Sequence, residues 1–186
     1  MIIGFVGEQG EGKTAVMTYF LFLFYNLGKK IVCNHEVSFE HTKLTPDMFS
    51  SKEMITELNE MFENEVEGFC IGVDEIHLWL DSRNAMGNRK KAFLLTQARK
   101  SLLGKGIFFW TSQFLMQADI RLRMNTKTLI EVVKDENEKG TTFILNFFKK
   151  KGLYFVKYKT AKLNGNALFG LNLYDTYEIM ALEDEL

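Results

Sequence analysis

The sequence of 186 residues predicts an α/β domain with a mainly parallel sheet and an antiparallel hairpin towards its carboxyl terminus. Short apolar runs, typical of strands buried on both faces, alternate along the chain with stretches of helical periodicity. The last two strand-like segments follow each other without an intervening helix, as in a hairpin. The composition is 46% hydrophobic and 25% charged with a single proline, which favours one domain over residues 1–186.

In the first half of the chain, three apolar runs predict strands and two longer stretches predict helices. A strand at 1–6 leads into a helix at 14–27, which is apolar almost all round and is therefore expected to be covered by protein. Further strands are expected at 30–34 and 69–73. Between them, at 46–67, apolar residues recur at helical spacing with glutamates on the other side, which indicates an amphipathic surface helix.

The second half is predicted to contain one helix and four strands. Their ranges are 90–103 for the helix and 106–111, 128–133, 141–148 and 153–160 for the strands. A polar turn at 135–140 and the run Lys149-Lys150-Lys151-Gly152 are expected to separate the last three strands.

The cysteines and the longest apolar run exclude several protein classes. Cys33 and Cys70 lie inside apolar runs without metal-ligand spacing, so we expect two buried free thiols rather than a disulfide framework or a zinc site. The uncharged run at 14–28 has 15 residues, fewer than the roughly 18 that span a bilayer. The amino terminus lacks a secretory signal. The sequence thus predicts no integral membrane segment and no secretion.

A complete phosphate-binding motif follows the first strand. Residues 7–14 (GEQGEGKT) fit G-x-x-x-x-G-K-[ST] between a predicted strand and a predicted helix, which is the context that supports a P-loop. In this motif, backbone N–H groups cradle phosphates, Lys13 reaches the β- and γ-oxygens of ATP, and Thr14 ligates Mg²⁺. The predicted nucleotide-binding residues are Gly7, Glu8, Gln9, Gly10, Glu11, Gly12, Lys13, Thr14 and Ala15.

Polar residues that end later strands complete a hydrolytic site. Asp74 is placed to hold Mg²⁺, and Glu75 to act as the base that activates water. Gln113 is placed to contact the γ-phosphate and the attacking water, and Asn34 is a weaker candidate for a similar role. His77 is interpreted as a structural or surface residue. A base next to the metal ligand favours hydrolysis of ATP over phosphate transfer by a nucleoside kinase. A DExH-type helicase is disfavoured because the sequence has no second motor domain.

The net charge of −1 conceals segregated segments. Residues 35–75 contain eleven acids and two lysines, whereas 83–105 contains seven basic residues and no acid, and 149–162 contains six lysines and no acid. Such segments favour either a phosphate backbone or a neighbouring subunit's acidic face. The predicted DNA-binding residues are Arg89, Lys90, Lys91, Lys149, Lys150 and Lys151.

Together, the P-loop, the Asp74-Glu75 pair and the strand that ends before Gln113 resemble the FtsK/HerA-type motor ATPases. The segment QADIRLRMNTKTLI at 117–130 is similar to the one that comes after the T-x-Q strand in these motors. The KKIVCN and DEIHLWLDSR strings most resemble viral genome-packaging ATPases, including those of archaeal viruses, and their Zot-like relatives in filamentous phage.

The resemblance covers roughly residues 2–133 and implies a three-layer P-loop NTPase fold of the RecA/ASCE type, with a nucleotide-binding core at 1–133. The hairpin and tail at 141–186, predicted from the strand pattern, lie outside the resemblance. The resemblance carries the catalytic roles onto Lys13, Thr14, Asp74, Glu75 and Gln113. It also implies a trans arginine finger, for which Arg99 is the first candidate and Arg121 and Arg123 are rivals.

The expected function is therefore an ATPase that translocates double-stranded DNA, using ATP and Mg²⁺. By resemblance it forms a homo-oligomeric ring, docks on a capsid or vertex protein, and works in the host cytoplasm or on the virion. The alternative is an ATPase that drives filamentous-phage-type assembly or secretion through protein partners.

Overall fold

The computed structural model describes residues 1–49, 51–63, 68–80, 89–101, 106–138 and 140–173. Its strands form one eight-stranded sheet with the order β3-β2-β4-β5-β1-β6-β7-β8. They are β1 (Ile2–Val6), β2 (Lys30–Cys33), β3 (Thr42–Lys43), β4 (Phe69–Val73), β5 (Gly106–Ser112), β6 (Thr128–Asn137), β7 (Gly140–Lys151) and β8 (Tyr154–Asn164). The pairs among β1 to β6 are parallel, while β7 pairs antiparallel with β6 and β8.

The helices form a layer on each face of this sheet. They are α1 (Lys13–Tyr25), α2 (Lys52–Glu63), α3 (Ile76–Trp79), α4 (Arg89–Lys100), α5 (Ile120–Asn125) and α6 (Gly165–Gly170), with 3₁₀ turns at Pro46–Phe49 and Leu115–Gln117. One core cluster joins α1 and α6 to the sheet, and a second joins α2, α4 and α5 to the other face. The architecture is therefore the predicted three-layer α/β fold.

The strand order places β5 between the P-loop strand β1 and the strand β4 that precedes Asp74. This is the strand arrangement that the resemblance to RecA/ASCE-type NTPases implies. Because neighbouring parallel strands end at the same edge of a sheet, the segments that follow β1, β4 and β5 lie together. The fold thus brings three distant parts of the sequence to one edge.

The helix α1 is apolar because other parts of the protein pack against two of its sides. Met17 and Leu21 are fully buried against the sheet. On another side of the helix, the Phe39 ring packs 5.5 Å from Phe22 and 5.3 Å from Tyr25, centroid to centroid. A helix packed in this way has little surface left for polar residues.

Three predicted boundaries are wrong. The helix expected at 46–67 is a 3₁₀ turn followed by α2, and residues 64–67 lie outside the described part. The Ser51 hydroxyl caps the first turn of α2 by accepting the Met54 N–H at 3.2 Å. Asp135 and Glu136 lie within β6, since that strand continues its ladder with β7 beyond the core. Lys149, Lys150 and Lys151 belong to β7 rather than to a turn.

The remaining predicted helices and strands match the observed ones closely, except where they extend beyond the described residues. The strands after β3 and the helix α4 begin within about two residues of their predicted positions, and residues 102–103 of the predicted helix lie outside the described part. In the described residues, no helix combines the length and the apolar character needed to cross a bilayer.

Both cysteines are free and buried, as predicted. Burial raises the pKa of the Cys33 thiol and of the Cys70 thiol to about 12. At pH 8 the reactive thiolate therefore makes up about one part in ten thousand of each. We expect the folded protein to resist the thiol reagent DTNB and both thiols to react once guanidinium unfolds it. Modification of either thiol in the native protein at the rate of free cysteine would contradict this burial.

Candidate nucleotide-binding site

The P-loop is a tight glycine turn at the start of α1. Gly10 and Gly12 both have φ of 80°, a left-handed conformation that is strained for residues with a side chain. Gly12 precedes the first turn of α1, whose early N–H groups lack acceptors within the helix. The Lys13 ammonium donates to the Glu8 carbonyl at 2.9 Å across the loop. Amides, helix terminus and ammonium thus form a binding site for phosphate.

Thr14 and Asp74 meet beside this turn. The Thr14 hydroxyl donates to the Asp74 carboxylate, 2.9 Å from Oδ1 and 3.0 Å from Oδ2. Hydroxyl and carboxylate oxygens are ligands suited to Mg²⁺, which usually completes its octahedron with water and substrate phosphates. Within the described residues, no three His, Cys, Asp or Glu side chains form a cluster that holds a metal. The pair fits a magnesium ion that depends on nucleotide phosphates for its remaining ligands.

Asp74 is fixed from two neighbouring strands. The Asn34 amide, at the end of β2, accepts the Asp74 N–H at 2.7 Å and donates to the Asp74 carbonyl at 2.9 Å. From β5, the Thr111 hydroxyl donates to Asp74 Oδ1 at 2.5 Å. Asp74 itself is buried, at 5% exposure, so these contacts replace the water that would otherwise solvate its carboxylate.

Glu75 adopts a strained backbone conformation at the end of β4. Its φ of 45° and ψ of 58° lie in the left-handed region, which costs a residue other than glycine about 1–3 kcal/mol. The Thr111 hydroxyl accepts the Glu75 N–H at 2.9 Å and so supports this turn. The carboxylate keeps 27% exposure, with Oε2 3.2 Å from His77 Nδ1. The predicted base thus follows β4 at the edge of the sheet where the P-loop follows β1, with its carboxylate beside His77.

Thr111 was not predicted from the sequence, although it joins two of the predicted site residues. Its single hydroxyl links the carboxylate of Asp74 to the amide of Glu75. The available signal was a polar residue in an otherwise apolar strand, two positions before Gln113. Such a threonine is also common in ordinary strands, so the pattern alone did not distinguish it.

Gln113 directly follows β5 and is partly exposed. The turn after it is held by Gln117, whose Oε1 accepts the Ser112 hydroxyl at 3.0 Å and the Phe114 N–H at 3.2 Å. Gln117 was not predicted to have this role. It holds the Ser112 side chain and the Phe114 backbone on either side of Gln113, while the Gln113 side chain makes no hydrogen bond to another described residue.

The strands β6 and β7 form a wall beside the P-loop. The Lys134 N–H donates to the Glu11 carboxylate. A Cβ atom on Gly7 would overlap the Val132 carbonyl, and one on Gly12 would overlap the Phe143 ring. The close approach of the wall therefore requires glycine at both positions, in addition to the part that Gly12 has in phosphate binding.

The three candidate arginines lie away from the chain's own P-loop. Arg99 and Arg121 line a cleft of about 390 Å³ between α4 and α5, beside Ile2 at the opposite edge of the sheet. Arg121 forms two hydrogen bonds of 3.0 Å with the buried Asp119 carboxylate. Arg123 donates to the backbone just before α5. Arg99 is exposed and has no side-chain partner in the described part of the chain.

The six predicted DNA-binding residues do not share one face. The Lys90 ammonium lies 4.5 Å from the centre of the Trp79 ring, and burial lowers the pKa of Lys90. Lys150 donates to backbone carbonyls at the end of α5, whereas Lys149 and Lys151 are exposed on the opposite face of β7. Arg89 and Lys91 belong to α4, but their side chains lie outside the described part.

Removing the Thr111 hydroxyl tests its linking role. We expect Thr111→Val to lower kcat for ATP by about 10–100-fold, since it releases the Glu75 amide and shifts the base, while KM changes little. Thr111→Ser keeps the hydroxyl and is expected to retain most of kcat. Steady-state phosphate release checks both variants. A valine variant with wild-type kcat would show that the hydroxyl has only a structural role.

Solved structures with the same fold include the N-terminal domain of zonular occludens toxin (Zot) from Neisseria meningitidis, with a TM-score of 0.58 and 17% identity over 94% of this chain and 98% of that chain. The genome packaging NTPase B204 from Sulfolobus turreted icosahedral virus 2, in complex with ATPγS, has a TM-score of 0.57 and 11% identity over 85% and 96%. The flagellar accessory protein FlaH from Methanocaldococcus jannaschii has a TM-score of 0.51 and 13% identity over 88% and 84%.

These likenesses establish that the chain has a P-loop NTPase fold. The two groups that the sequence resembles, packaging ATPases and Zot-like proteins, are both among the structural neighbours, which confirms the predicted resemblance. No protein-family model and no curated protein matches the chain.

Proposed function

We propose that the protein is a Mg²⁺-dependent ATPase that oligomerises around double-stranded DNA and translocates it, packaging a viral genome into a capsid. The observation that carries the ATPase part is the meeting of the P-loop, Thr14, Asp74 and Glu75 at one edge of the sheet. Each residue type there has a role in phosphoryl transfer to water.

In this proposal the P-loop amides and the Lys13 ammonium hold the β- and γ-phosphates of ATP. Lys13 exchanges its hydrogen bond to the Glu8 carbonyl for phosphate oxygens. Thr14 and Asp74 hold Mg²⁺, which when bound withdraws negative charge from the γ-phosphate. The buried hydrogen bonds of Asp74 keep its carboxylate in place for this role.

The chemical step uses the residues that come after β4 and β5. The Glu75 carboxylate accepts a proton from water as the water oxygen bonds to the γ-phosphorus and the bond to the ADP oxygen breaks. The Gln113 amide hydrogen-bonds the γ-phosphate and the water. Because Gln113 is followed directly by the turn that leads to α5, loss of the γ-phosphate alters the contacts at the start of that segment.

An exposed apolar surface supports self-association. Four large side chains that come after Gln113 are more than half exposed: Phe114 at 60%, Met116 at 68%, Ile120 at 61% and Met124 at 54%. A cluster of this kind marks a surface that contacts another molecule. We assign it to the next subunit of the oligomer, which also brings Arg99, in the cleft beside α5, towards a neighbouring nucleotide.

Charging that surface is expected to separate the subunits. The double variant Ile120→Glu, Met124→Glu should sediment as a monomer and lose ATP turnover, because two carboxylates oppose burial of the apolar contact. The matched control is Leu27→Glu, at an apolar residue that is 70% exposed at the far end of α1. Sedimentation velocity with ATP present provides the measurement. An oligomer that survives the double substitution would place the interface elsewhere.

The DNA part of the proposal draws on the segregated basic segments and on the fold shared with a genome packaging NTPase. It is tested by phosphate release with and without saturating double-stranded DNA, with Lys13→Ala as the inactive control. We expect DNA to raise turnover and the effect to weaken with salt. Turnover without a DNA response, together with no DNA binding at low salt, would refute translocation while leaving the ATPase intact.

The second candidate is an ATPase that drives assembly or secretion through protein partners. The fold shared with the Zot domain over nearly its whole length supports it. This candidate predicts that a coat or membrane protein stimulates turnover and that DNA has no effect. The same phosphate-release assay therefore separates the two functions.

A further inference from the structure

The hairpin formed by β7 and β8 carries an exposed face of tyrosines and lysines. Tyr154 and Val156 alternate along β8, and Tyr158 follows as the extra residue of a β-bulge, with its ring against Phe147 on the same side of the hairpin. These three residues are 76%, 43% and 59% exposed. Lys151 pairs with Tyr154 and Lys149 with Val156 across the ladder, so both lysines share this face. We call these five residues the tyrosine face.

The other face of the hairpin is occupied. Phe148 and Phe155 pack against the core, and Lys150 donates to carbonyls at the end of α5. Among the residues up to 173 that the structure describes after the hairpin, α6 covers the end of this side near the P-loop, where the centroids of the Phe169 and Phe143 rings are 5.7 Å apart. The tyrosine face is therefore an accessible part of the sheet surface, next to the turn at residues 152–153.

The charge around this face has one sign. No acidic residue occurs in the sequence from 140 to 174, a stretch that contains six lysines. Lys149 and Lys151 are exposed, and in the described part of the chain neither has a carboxylate within ion-pairing distance. Their positive field favours a polyanion.

The exposed tyrosine rings favour a ligand that also carries flat apolar groups. The Tyr158 ring is supported from behind by Phe147, at 6.3 Å between centroids, and its other side remains exposed. Tyr154 and Tyr158 are four residues apart on a strand that bulges at Tyr158, which separates them by roughly 10–13 Å, so each ring can meet a different group of the same ligand. Aromatic side chains beside lysines on a strand match the stacking platforms that bind unpaired bases.

We propose that the tyrosine face binds single-stranded nucleic acid, with bases stacked on Tyr154 and Tyr158 and phosphates near Lys149 and Lys151. A duplex keeps the flat faces of its bases stacked inside, so it offers the tyrosines no base to stack on while its phosphates still attract the lysines. The inference goes beyond the proposed translocation of double-stranded DNA and does not depend on ATP hydrolysis. A frayed end or a separated strand is the kind of substrate that this face accommodates.

The test measures fluorescence anisotropy of a labelled oligothymidylate and of a duplex of equal length, without nucleotide, using the full-length protein. We expect tighter binding of the oligothymidylate. Tyr154→Ala with Tyr158→Ala should weaken that binding by about tenfold or more and leave duplex binding unchanged. Tyr154→Phe with Tyr158→Phe keeps the rings and should retain wild-type affinity, which separates stacking from a folding defect.

Lysine variants supply an independent readout. Lys149→Gln with Lys151→Gln should weaken the binding of both the oligothymidylate and the duplex. For the oligothymidylate, the slope of log K against log salt concentration should become shallower by about 1.4, the value for two lost phosphate contacts on a single strand. Unchanged oligothymidylate affinity in the alanine variant would overturn the proposal. So would an alanine variant whose oligomeric state changes while its affinity does not, because the face would then be a subunit contact. The Glu75→Gln variant, which is expected to lose ATP turnover, should still bind the oligothymidylate. This comparison separates the binding proposal from the proposed ATPase.

Discussion

Glu75→Gln is expected to reduce ATP turnover by about 10²–10⁴-fold while ATP still binds. The amide of glutamine has nearly the shape of the carboxylate but does not accept the proton of the attacking water. The hydrogen bond from the Glu75 N–H to the Thr111 hydroxyl involves only the backbone of Glu75 and is retained. The phosphate-binding loop and the Thr14–Asp74 pair are separate from this side chain. Chemistry is therefore lost without loss of the site.

Two measurements check this expectation. Phosphate release gives kcat, and titration with a fluorescent ATP analogue gives affinity. Lys13→Ala is the contrasting variant, because it removes the ammonium that contacts the phosphates and is expected to abolish binding as well as turnover. If Glu75→Gln keeps turnover within a few-fold of the wild type, the base is another group and the role of Glu75 is structural.

The sequence predicts the central strands well for a physical reason. Strands buried on both faces must be almost wholly apolar, so β1, β4 and β5 stand out as short apolar runs between polar segments. The P-loop is equally clear because phosphate binding requires glycines and a lysine at fixed spacing. Parallel strands end at a common edge, so the residues just after each strand can also be placed from the sequence. For this reason the sequence correctly places Asp74 and Glu75 at the edge of the sheet where the P-loop lies.

The outer parts of the fold are harder to predict because hydrogen bonding rather than burial defines them. β6 and β7 pair with each other beyond the core, where Asp135 and Glu136 are exposed and the apolar pattern stops. The short helix α5 was missed although Asp119 caps it by accepting the Arg121 N–H at 2.8 Å. Six residues contain too few turns to show a helical period.

The contact between the hairpin and the P-loop was also beyond sequence reasoning. It joins Gly12 to Phe143, residues more than a hundred positions apart. Phe143 is fully buried and looks like any core residue of a strand. Only the folded sheet shows that its ring occupies the space where a side chain on Gly12 would lie.

Gly12→Ala is therefore expected to lower the free energy of unfolding by about 2–5 kcal/mol and to abolish ATP binding. The left-handed backbone costs a residue with a Cβ about 1–2 kcal/mol, and overlap with a packed ring adds about 1–3 kcal/mol. Gly10→Ala is the matched control: its φ is also 80°, but a Cβ there meets nothing within 4 Å. It is expected to cost about 1–2 kcal/mol from the backbone alone. Guanidinium unfolding curves measure both variants.

Adding Phe143→Leu to Gly12→Ala separates the two causes. Leucine leaves room beside the loop, so the double variant should lose less stability than the sum of the two single variants. That coupling would assign the extra cost to the ring contact rather than to the backbone. Equal costs for Gly10→Ala and Gly12→Ala, or simple additivity in the double variant, would instead mean that Phe143 yields to the new methyl group. The hairpin would then be a neighbour of the P-loop without constraining its shape.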